Sequence, residues 1–263
     1  MSDPVFCSFN NIPRVFCFLM VTFSIKSYFF WTPFSVVETE NNSFVCDKSD
    51  DWKIPALEYI EKRNQRRLNK LSRLVLYSAI KCTTPEKRNY VTVLSSRNGE
   101  INNALRILQD ISNDELVSPQ MFVNSVYNMP FAYYSIFFGN NLPSSAIASS
   151  ESSLGYGFLE AVLNLKRFPG YDVLLTCADF PLENELGVLN DKSCLPYSFS
   201  VIISNDNYGD NRISFDYEML KDGNRRNDVP DAVKFYYSFL KQDKEIFISE
   251  TSDSRFTWKK QSL

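Results

Sequence analysis

Residues 118–179, SPQMFVNSVYNMPFAYYSIFFGNNLPSSAIASSESSLGYGFLEAVLNLKRFPGYDVLLTCAD, decide the fold. Ser118-Pro119 is a favourable helix start, because proline is tolerated in the first turn, and the pattern predicts a helix over 118–126. A second helix is predicted over Phe131–Phe138, which is almost wholly apolar. This helix is expected to end at Gly139, since glycine commonly terminates helices.

A strand–helix–strand unit follows these two helices. Ser145–Ser149 is predicted to be a short strand, Glu151–Leu165 a long helix and Asp172–Ala178 a buried strand. The helix carries apolar residues on one side, namely Leu154, Phe158, Ala161, Val162 and Leu165. The alternation of strands with helices is typical of α/β folds.

The rest of the chain continues this pattern. The other predicted strands are Thr22–Trp31, which stops at Thr32-Pro33, Tyr90–Leu94, Ser198–Ser204 and Asn211–Met219. The other predicted helices are Leu68–Ile80, Glu100–Ile111 and Asp231–Leu240, and the polar segment Asn41–Asp51 is predicted to be a loop. Because no linker or internal repeat interrupts the pattern, we predict one α/β domain with a mixed sheet and flanking helices.

The composition limits the chemistry that this chain can perform. It has 263 residues, a formal net charge of -3 and no histidine. The nearly neutral charge gives no indication of nucleic-acid binding. The absence of histidine excludes a Ser-His-Asp triad, a Cys-His pair and imidazole metal ligands. Asp, Glu, Lys, Tyr and Cys remain available for catalysis.

The six cysteines form no CxxC pair and stand at positions 7, 17, 46, 82, 177 and 194. Cys82 and Cys177 lie in apolar stretches, where a buried thiol behaves as a small hydrophobic side chain. We therefore predict a reduced, cytoplasmic protein without a disulfide framework or a zinc site.

The N-terminal apolar run Val15–Ile25 is too short to span a bilayer and is followed by Lys26. It resembles a signal peptide only weakly, since no small-residue cleavage site follows. A buried first strand is the favoured interpretation. Residues 1–19 are interpreted as a possible N-terminal extension, and residues 20–263 as the folded domain.

The order of residues in 118–179 resembles the nucleophile region of β-ketoacyl synthases, the condensing enzymes of the thiolase fold. The corresponding features are Ser118-Pro119, Asn128, Gly139, Pro143-Ser144, Ala161 and Gly170-Tyr171-Asp172-Val173. The resemblance covers most of residues 21–180 and is weaker from Leu182 onward. It implies a thiolase-like half-fold, equivalent to the N-terminal half of a ketosynthase with a short tail.

In that family the nucleophile is a cysteine at the N-terminus of a buried helix, where backbone N–H groups and the helix dipole favour the thiolate. Counting without gaps places Glu151 at this position, and a shift of one residue would place Ser150 there. Either choice leaves the position without a thiol, so the resemblance implies that condensing activity is lost. The alternative role for Glu151 is a local helix cap or ion pair.

The resemblance further implies a subunit of the chain-length-factor type, similar to the ketosynthase-like proteins of bacterial aryl polyene pathways. Such a subunit pairs with an active β-ketoacyl synthase, meets acyl carrier protein only indirectly and needs no cofactor. The family pairs the strand before the nucleophile across the dimer axis and turns the preceding helix toward the partner's acyl pocket. The residues thus predicted for the interface or tunnel are Met121, Phe122, Asn128, Phe131, Tyr133, Tyr134, Ser145, Ala146, Ile147, Ala148 and Ser149.

Several alternatives stay open at this point. The aromatic run Met129–Phe138 is equally explained by core packing. The chain is alternatively a purely stabilising subunit, or an enzyme that uses Glu151, Asp172 and Asp179 on acyl thioesters. A basic cluster, Arg63, Arg66, Arg67 and Lys70, is most simply a solvated helix face and alternatively a docking face for an acidic carrier protein.

Overall fold

The computed structural model describes residues 20–38, 44–47, 52–190, 194–206, 212–221, 223 and 229–261. Its strands are β1 Val21–Trp31, β2 Ser35–Glu38, β3 Phe44–Asp47, β4 Val91–Ser95, β5 Ser144–Ile147, β6 Val173–Asp179, β7 Tyr197–Ser204, β8 Arg212–Met219, β9 Ile246–Glu250 and β10 Ser254–Lys260. Its α-helices are α1 Lys62–Gln65, α2 Lys70–Cys82, α3 Ile101–Ser112, α4 Pro119–Asn124, α5 Met129–Phe138, α6 Ser153–Arg167 and α7 Asp231–Lys234. Two 3₁₀ turns, Ser150–Ser152 and Asn184–Leu189, and a π-helix, Phe235–Lys241, complete the description.

Eight of the described strands form one mixed sheet in the order β5-β4-β6-β7-β1-β8-β10-β9. Strand β4 pairs in parallel with both β5 and β6, and the other neighbours in this sheet are antiparallel. The prediction of an α/β fold with a mixed sheet and flanking helices is confirmed.

The two faces of the sheet are covered by different helices. Side chains alternate along each strand, so neighbouring residues belong to opposite faces. In β6, Leu174 and Ala178 pack in one core with α2 and α5, whereas Leu175 and Cys177 pack in the other core with α6 and the π-helix. The central strands β6 and β7 are therefore buried on both faces.

The predicted helices and strands are present close to their expected positions, and two predicted segments differ in kind. The predicted loop over 41–51 contains β3, which pairs antiparallel with β2 and matches Val36 to Cys46. Burial of Val36 and Phe44 accounts for this pairing, because a short polar segment gains order when its apolar residues reach the core. The predicted helix over 231–240 begins as α7 and continues as a π-helix.

The sequence analysis also missed the C-terminal strands β9 and β10, which extend the sheet beyond β8. In β10, Phe256 and Trp258 are fully buried and lie against α6, where the Trp258 ring centroid is 5.3 Å from that of Phe158. The C-terminal strands of this chain therefore cover the apolar side of α6.

A glycine in α6 permits this close packing. A Cβ atom built on Gly155 would lie 2.1 Å from Cδ2 of Phe256, whose ring is fully buried. We expect Gly155→Ala to lower the free energy of unfolding by ~1–3 kcal/mol, because an added methyl overpacks the core. Urea unfolding of both proteins measures this change. Gly187→Ala, whose Cβ would meet its nearest atom at 3.7 Å, is the control and should remain close to the parent protein.

Residues 1–19, with Cys7 and Cys17, lie outside the described residues, so the interpretation of an N-terminal extension stays a prediction. Val21–Ile25, the described part of the apolar N-terminal run, belongs to β1. Within the described ranges, no helix has both the length and the apolar composition needed to cross a membrane.

Candidate functional site

The loops that follow β4, β5 and β6 meet at one edge of the sheet, because these three strands are parallel. Ligands of α/β proteins commonly bind outside the carboxyl ends of such strands. A cavity of about 370 Å³ lies at this edge in the described structure. Its lining includes Arg97 after β4, Ser150 and Glu151 after β5, and Asp179 at the end of β6.

The turn after β5 is held by a group of serine hydroxyls. Ser150 has a left-handed backbone, with φ of 49°, which is uncommon for a residue with a side chain. The Ser153 hydroxyl donates to the carbonyl oxygen of Ser150 at 2.7 Å, and the Ser95 hydroxyl donates to that of Ser153 at 2.6 Å. Strained turns of this kind, between a strand and a helix, present a side chain toward a site. Here the strained residue is Ser150.

The structure places Glu151 at the start of the helix, as the sequence predicts. It lies in the 3₁₀ turn Ser150–Ser152 that leads directly into α6. A carboxylate is favoured there, since the N-terminal end of a helix carries a partial positive charge. One carboxylate oxygen of Glu151 lies 3.8 Å from a guanidinium nitrogen of Arg97, and both side chains are about one-quarter exposed. The turn that leads into α6 thus presents a hydroxyl from Ser150 and an ion-paired carboxylate from Glu151.

Asp179 organises the floor of the cavity, a role that the sequence analysis missed. Its carboxylate accepts hydrogen bonds from the Ser96 hydroxyl at 2.7 Å, the Arg97 amide at 2.7 Å, the Asn98 amide at 3.1 Å and the Tyr197 hydroxyl at 2.9 Å. Burial raises the pKa of Asp179, although these four donors oppose the shift. One feature of the sequence indicates this role. Asp179 stands at the end of a buried strand, and that strand runs parallel to the strand that ends shortly before Arg97.

Two of the described thiols are buried away from any charge that would activate them. Burial raises the pKa of Cys82 to about 12 and raises that of Cys177 as well. Both therefore stay protonated near neutral pH, and the prediction that they act as buried hydrophobic residues is confirmed. Cys194, to which the sequence analysis gave no role, lines the cavity from the segment before β7.

The three carboxylates considered for an independent enzyme do not come together. Glu151 and Asp179 share the cavity, but Asp172 precedes β6 and lies at the opposite end of that seven-residue strand. At about 3.3 Å per residue, the strand separates Asp172 from Asp179 by roughly 20 Å. Burial alone would raise the pKa of Asp172, but hydrogen bonds from Lys87, Ser204 and Lys26 lower it below its usual value. Asp172 is thus part of a lysine network away from the cavity.

The predicted interface residues of α4 lie at the surface. The Phe122 side chain is 63% exposed and that of Met121 is partly exposed. Asn128, the residue before α5, is also exposed. Val123 and Val126 extend the same apolar surface, since both are exposed.

Three other residues predicted for the interface lie in the core of this chain. Phe131, Tyr133 and Tyr134 are at most 5% exposed and pack with α2. The Tyr133 hydroxyl donates to the Asn124 side chain at 2.8 Å and thereby fixes α5 against α4. These residues contribute no surface for a partner and instead support the helix that carries Met121.

Strand β5 occupies one end of the sheet, with β4 as its neighbour among the described strands. Thr92 donates its amide to the carbonyl of Pro143, and Ser96 donates to that of Ile147. Because hydrogen-bonding directions alternate along a strand, the backbone groups of Ser144 and Ala146 point away from β4. Ser145 and Ile147 are partly exposed, and the strand ends before Ala148 and Ser149, which the sequence analysis had included in it.

The basic cluster of α1 and α2 is exposed, as predicted for a solvated face. Arg63 pairs with Glu61 at 2.7 Å, and Lys70 pairs with Glu183. Exposed pairs of this kind contribute little to stability. Nothing in these contacts favours carrier-protein docking over solvation.

The comparisons with known proteins agree with this fold. A structure titled as the ketosynthase ApeO in complex with its chain length factor ApeC, from Xenorhabdus doucetiae, is similar with a TM-score of 0.73 and 18% identity, over 91% of this chain and 100% of the matched one. A structure of the ishigamide ketosynthase/chain length factor is similar with a TM-score of 0.56 and 12% identity, over 76% of this chain and 68% of the matched one. At these identities the similarity shows the fold. No curated protein matches the sequence.

Sequence similarity defines the family directly. A family model described as the β-ketoacyl synthase N-terminal domain matches residues 39–259. That range includes strands β3 to β9, nearly all of β10, the strained turn at Ser150 and α6. The chain therefore belongs to the β-ketoacyl synthase N-terminal domain family.

Proposed function

We propose that this chain is a non-catalytic subunit that pairs with an active β-ketoacyl synthase and bounds the acyl tunnel of its partner. The observation that carries the proposal is the turn at Ser150 and Glu151, which keeps the backbone strain and the helix start of a nucleophile site but holds no thiol. The chain also lacks histidine, so it cannot supply the imidazole groups that assist condensation. An aryl polyene or type II polyketide pathway is the context that we infer.

The division of work between the subunits follows from these residues. The partner would perform the decarboxylative Claisen condensation on acyl thioesters, and this chain would shape the space into which the product grows. On α4, Phe122 is exposed and Met121 is partly exposed. The hydrogen bond from Tyr133 of α5 to Asn124 holds α4 in place. A rigidly held apolar side chain limits the length of an acyl chain by steric exclusion.

Support for a partner comes from the surface and from the related structures. The exposed apolar side chains of α4 and the open edge of β5 lie on the two chain segments that precede and follow α5. Both similar structures contain a ketosynthase and a chain length factor, according to their titles. An open strand edge is a template for pairing with another chain.

Co-expression with a β-ketoacyl synthase of the same organism tests the proposal. We expect the two proteins to co-purify and to form acyl products whose lengths increase when Met121→Ala enlarges the tunnel. The matched control is Met219→Ala, which removes an equivalent side chain from β8, far along the sheet from β5. Unchanged product lengths in Met121→Ala and Phe122→Ala would refute the tunnel role. Turnover of acyl thioesters by the purified chain alone would refute the non-catalytic assignment.

A further inference from the structure

Helix α3 is attached to the rest of the chain by its polar side. Asn102 donates its side-chain amide to the carbonyl of Pro181 at 2.9 Å and accepts from the Glu183 amide at 2.9 Å. Asn103 donates to Glu100 at 2.9 Å, and Gln109 donates to Glu185 at 2.8 Å. At 100° per residue, these three side chains occupy one side of the helix.

The apolar side of α3 faces outward instead. Ile101, Leu108 and Ile111 are 40%, 63% and 56% exposed, and none of the twelve residues of the helix is buried. Amphipathic surface helices ordinarily turn their apolar side toward the core. In α3 the middle of the apolar side is exposed, while Leu105 and Ile107 at its margins are half-buried, so an apolar strip is left for another molecule to cover.

The exposed surface continues from α3 to α4. After α3 the chain turns at Asp114, which has a left-handed φ of 56°, and Leu116 is 99% exposed. Helix α4 then adds the exposed Phe122, and the exposed Val126 follows shortly after this helix. Tyr127 connects this region to β5, because its hydroxyl donates to the carbonyl of Ile147 at 2.8 Å. Helix α3 thus packs beside α4, and Tyr127 after α4 contacts β5.

The size of the proposed interface requires this extension. Strand β5 has four residues and α4 has six, whereas a stable protein interface uses about 20–30 residues on each side. Helix α3 packs beside α4 and adds the exposed apolar residues Ile101, Leu108 and Ile111 to this surface.

We infer that the apolar side of α3 binds the partner β-ketoacyl synthase and forms a second contact beside the β5 edge. This inference rests on the proposed function and deepens it, since it assigns the helix that supplies much of the apolar contact. The polar side of α3 remains bound to the chain's own loop at Pro181–Glu185, so the helix meets the partner as a preformed surface.

The test measures binding of full-length variants to the co-expressed ketosynthase. Leu108→Glu with Ile111→Glu should weaken the complex at least tenfold, and leave the circular dichroism spectrum and the thermal transition of the isolated chain unchanged. Ile246→Glu places the same charge on an equally exposed apolar residue of β9, at the far edge of the sheet, and should bind as the parent does. Phe122→Glu tests separately whether α4 contacts the ketosynthase.

The outcomes separate this inference from the proposed function. If Phe122→Glu weakens binding and the α3 variant binds within twofold of the parent, the role of α3 is overturned while the heterodimer stands. If the α3 substitutions abolish only a homodimer of this chain in sedimentation measurements, the inferred partner is wrong. If the parent chain never binds a ketosynthase, the proposed function itself fails.

Discussion

Replacing Trp258 with alanine is expected to lower the free energy of unfolding by ~3–5 kcal/mol, a typical cost for removing a buried large aromatic side chain. Trp258 is fully buried in β10, and its ring lies 5.1 Å from that of Phe215 and 5.3 Å from those of Phe158 and Phe235 between centroids. Its loss would open a cavity where β8, α6 and the π-helix meet. Urea unfolding followed by circular dichroism measures the change.

Two further variants determine whether the cost arises from lost packing. Lys259→Ala alters the exposed neighbour in the same strand and should change stability by less than about 0.5 kcal/mol. Trp258→Phe keeps most of the ring and removes an indole N–H for which the described groups provide no acceptor. Trp258→Phe should therefore lower the free energy of unfolding much less than Trp258→Ala does. Equal losses for alanine and phenylalanine would contradict the packing explanation.

Replacing Glu100 with glutamine is expected to stabilise the protein at alkaline pH. Glu100 precedes α3 and is 6% exposed, and its Oε1 atom has no hydrogen-bond partner among the described groups. Burial raises its pKa from 4.5 to about 7, although hydrogen bonds with Asn69 and Asn103 oppose the shift. An uncharged amide of the same shape avoids the burial of a carboxylate.

The sign of this pH dependence follows from linkage. Between pH 4.5 and about 7 the folded protein binds the Glu100 proton more tightly than the unfolded chain does, so the parent protein loses stability as pH rises through this range. The expected gain for Glu100→Gln is on the order of 3 kcal/mol at about pH 8 and below about 1 kcal/mol at about pH 5. Urea unfolding at both pH values measures it. The exposed residue Glu86 provides the control Glu86→Gln, and an equal gain at both pH values would contradict the assignment to Glu100.

The sequence predicted most of the fold because the main elements carry strong local patterns. Gly139 ends α5 with a left-handed φ of 66°, and the apolar side of α6 is the side that packs. The alternation of buried Phe256 and Trp258 with Arg255, Thr257 and Lys259 was also visible, but charged neighbours made β10 look polar. Its place in the sheet depends on pairing with β8, and pairing between distant segments leaves no local signal in the sequence.

The site was less predictable because its parts are distant in the sequence. Asp179 and the Arg97 amide that it binds are 82 residues apart, and periodicity cannot bring them together. Helix α3 shows a second limit. Its amphipathic pattern predicted a helix correctly, but the rule that apolar residues face the core gives the wrong orientation for it.

The position of β1 between β7 and β8 has a consequence for biosynthesis. Residues 21–31 are synthesised long before their neighbours in the sheet, which are residues 198–204 and 212–215. Pairings between such distant segments form slowly, since a long loop must close before any contact is gained. The nascent chain therefore completes the pairing of β1 only after residues 212–215 have left the ribosome. Until then the aromatic segment YFFW at 28–31 lacks its neighbours in the sheet, and such transiently exposed apolar segments are prone to aggregation.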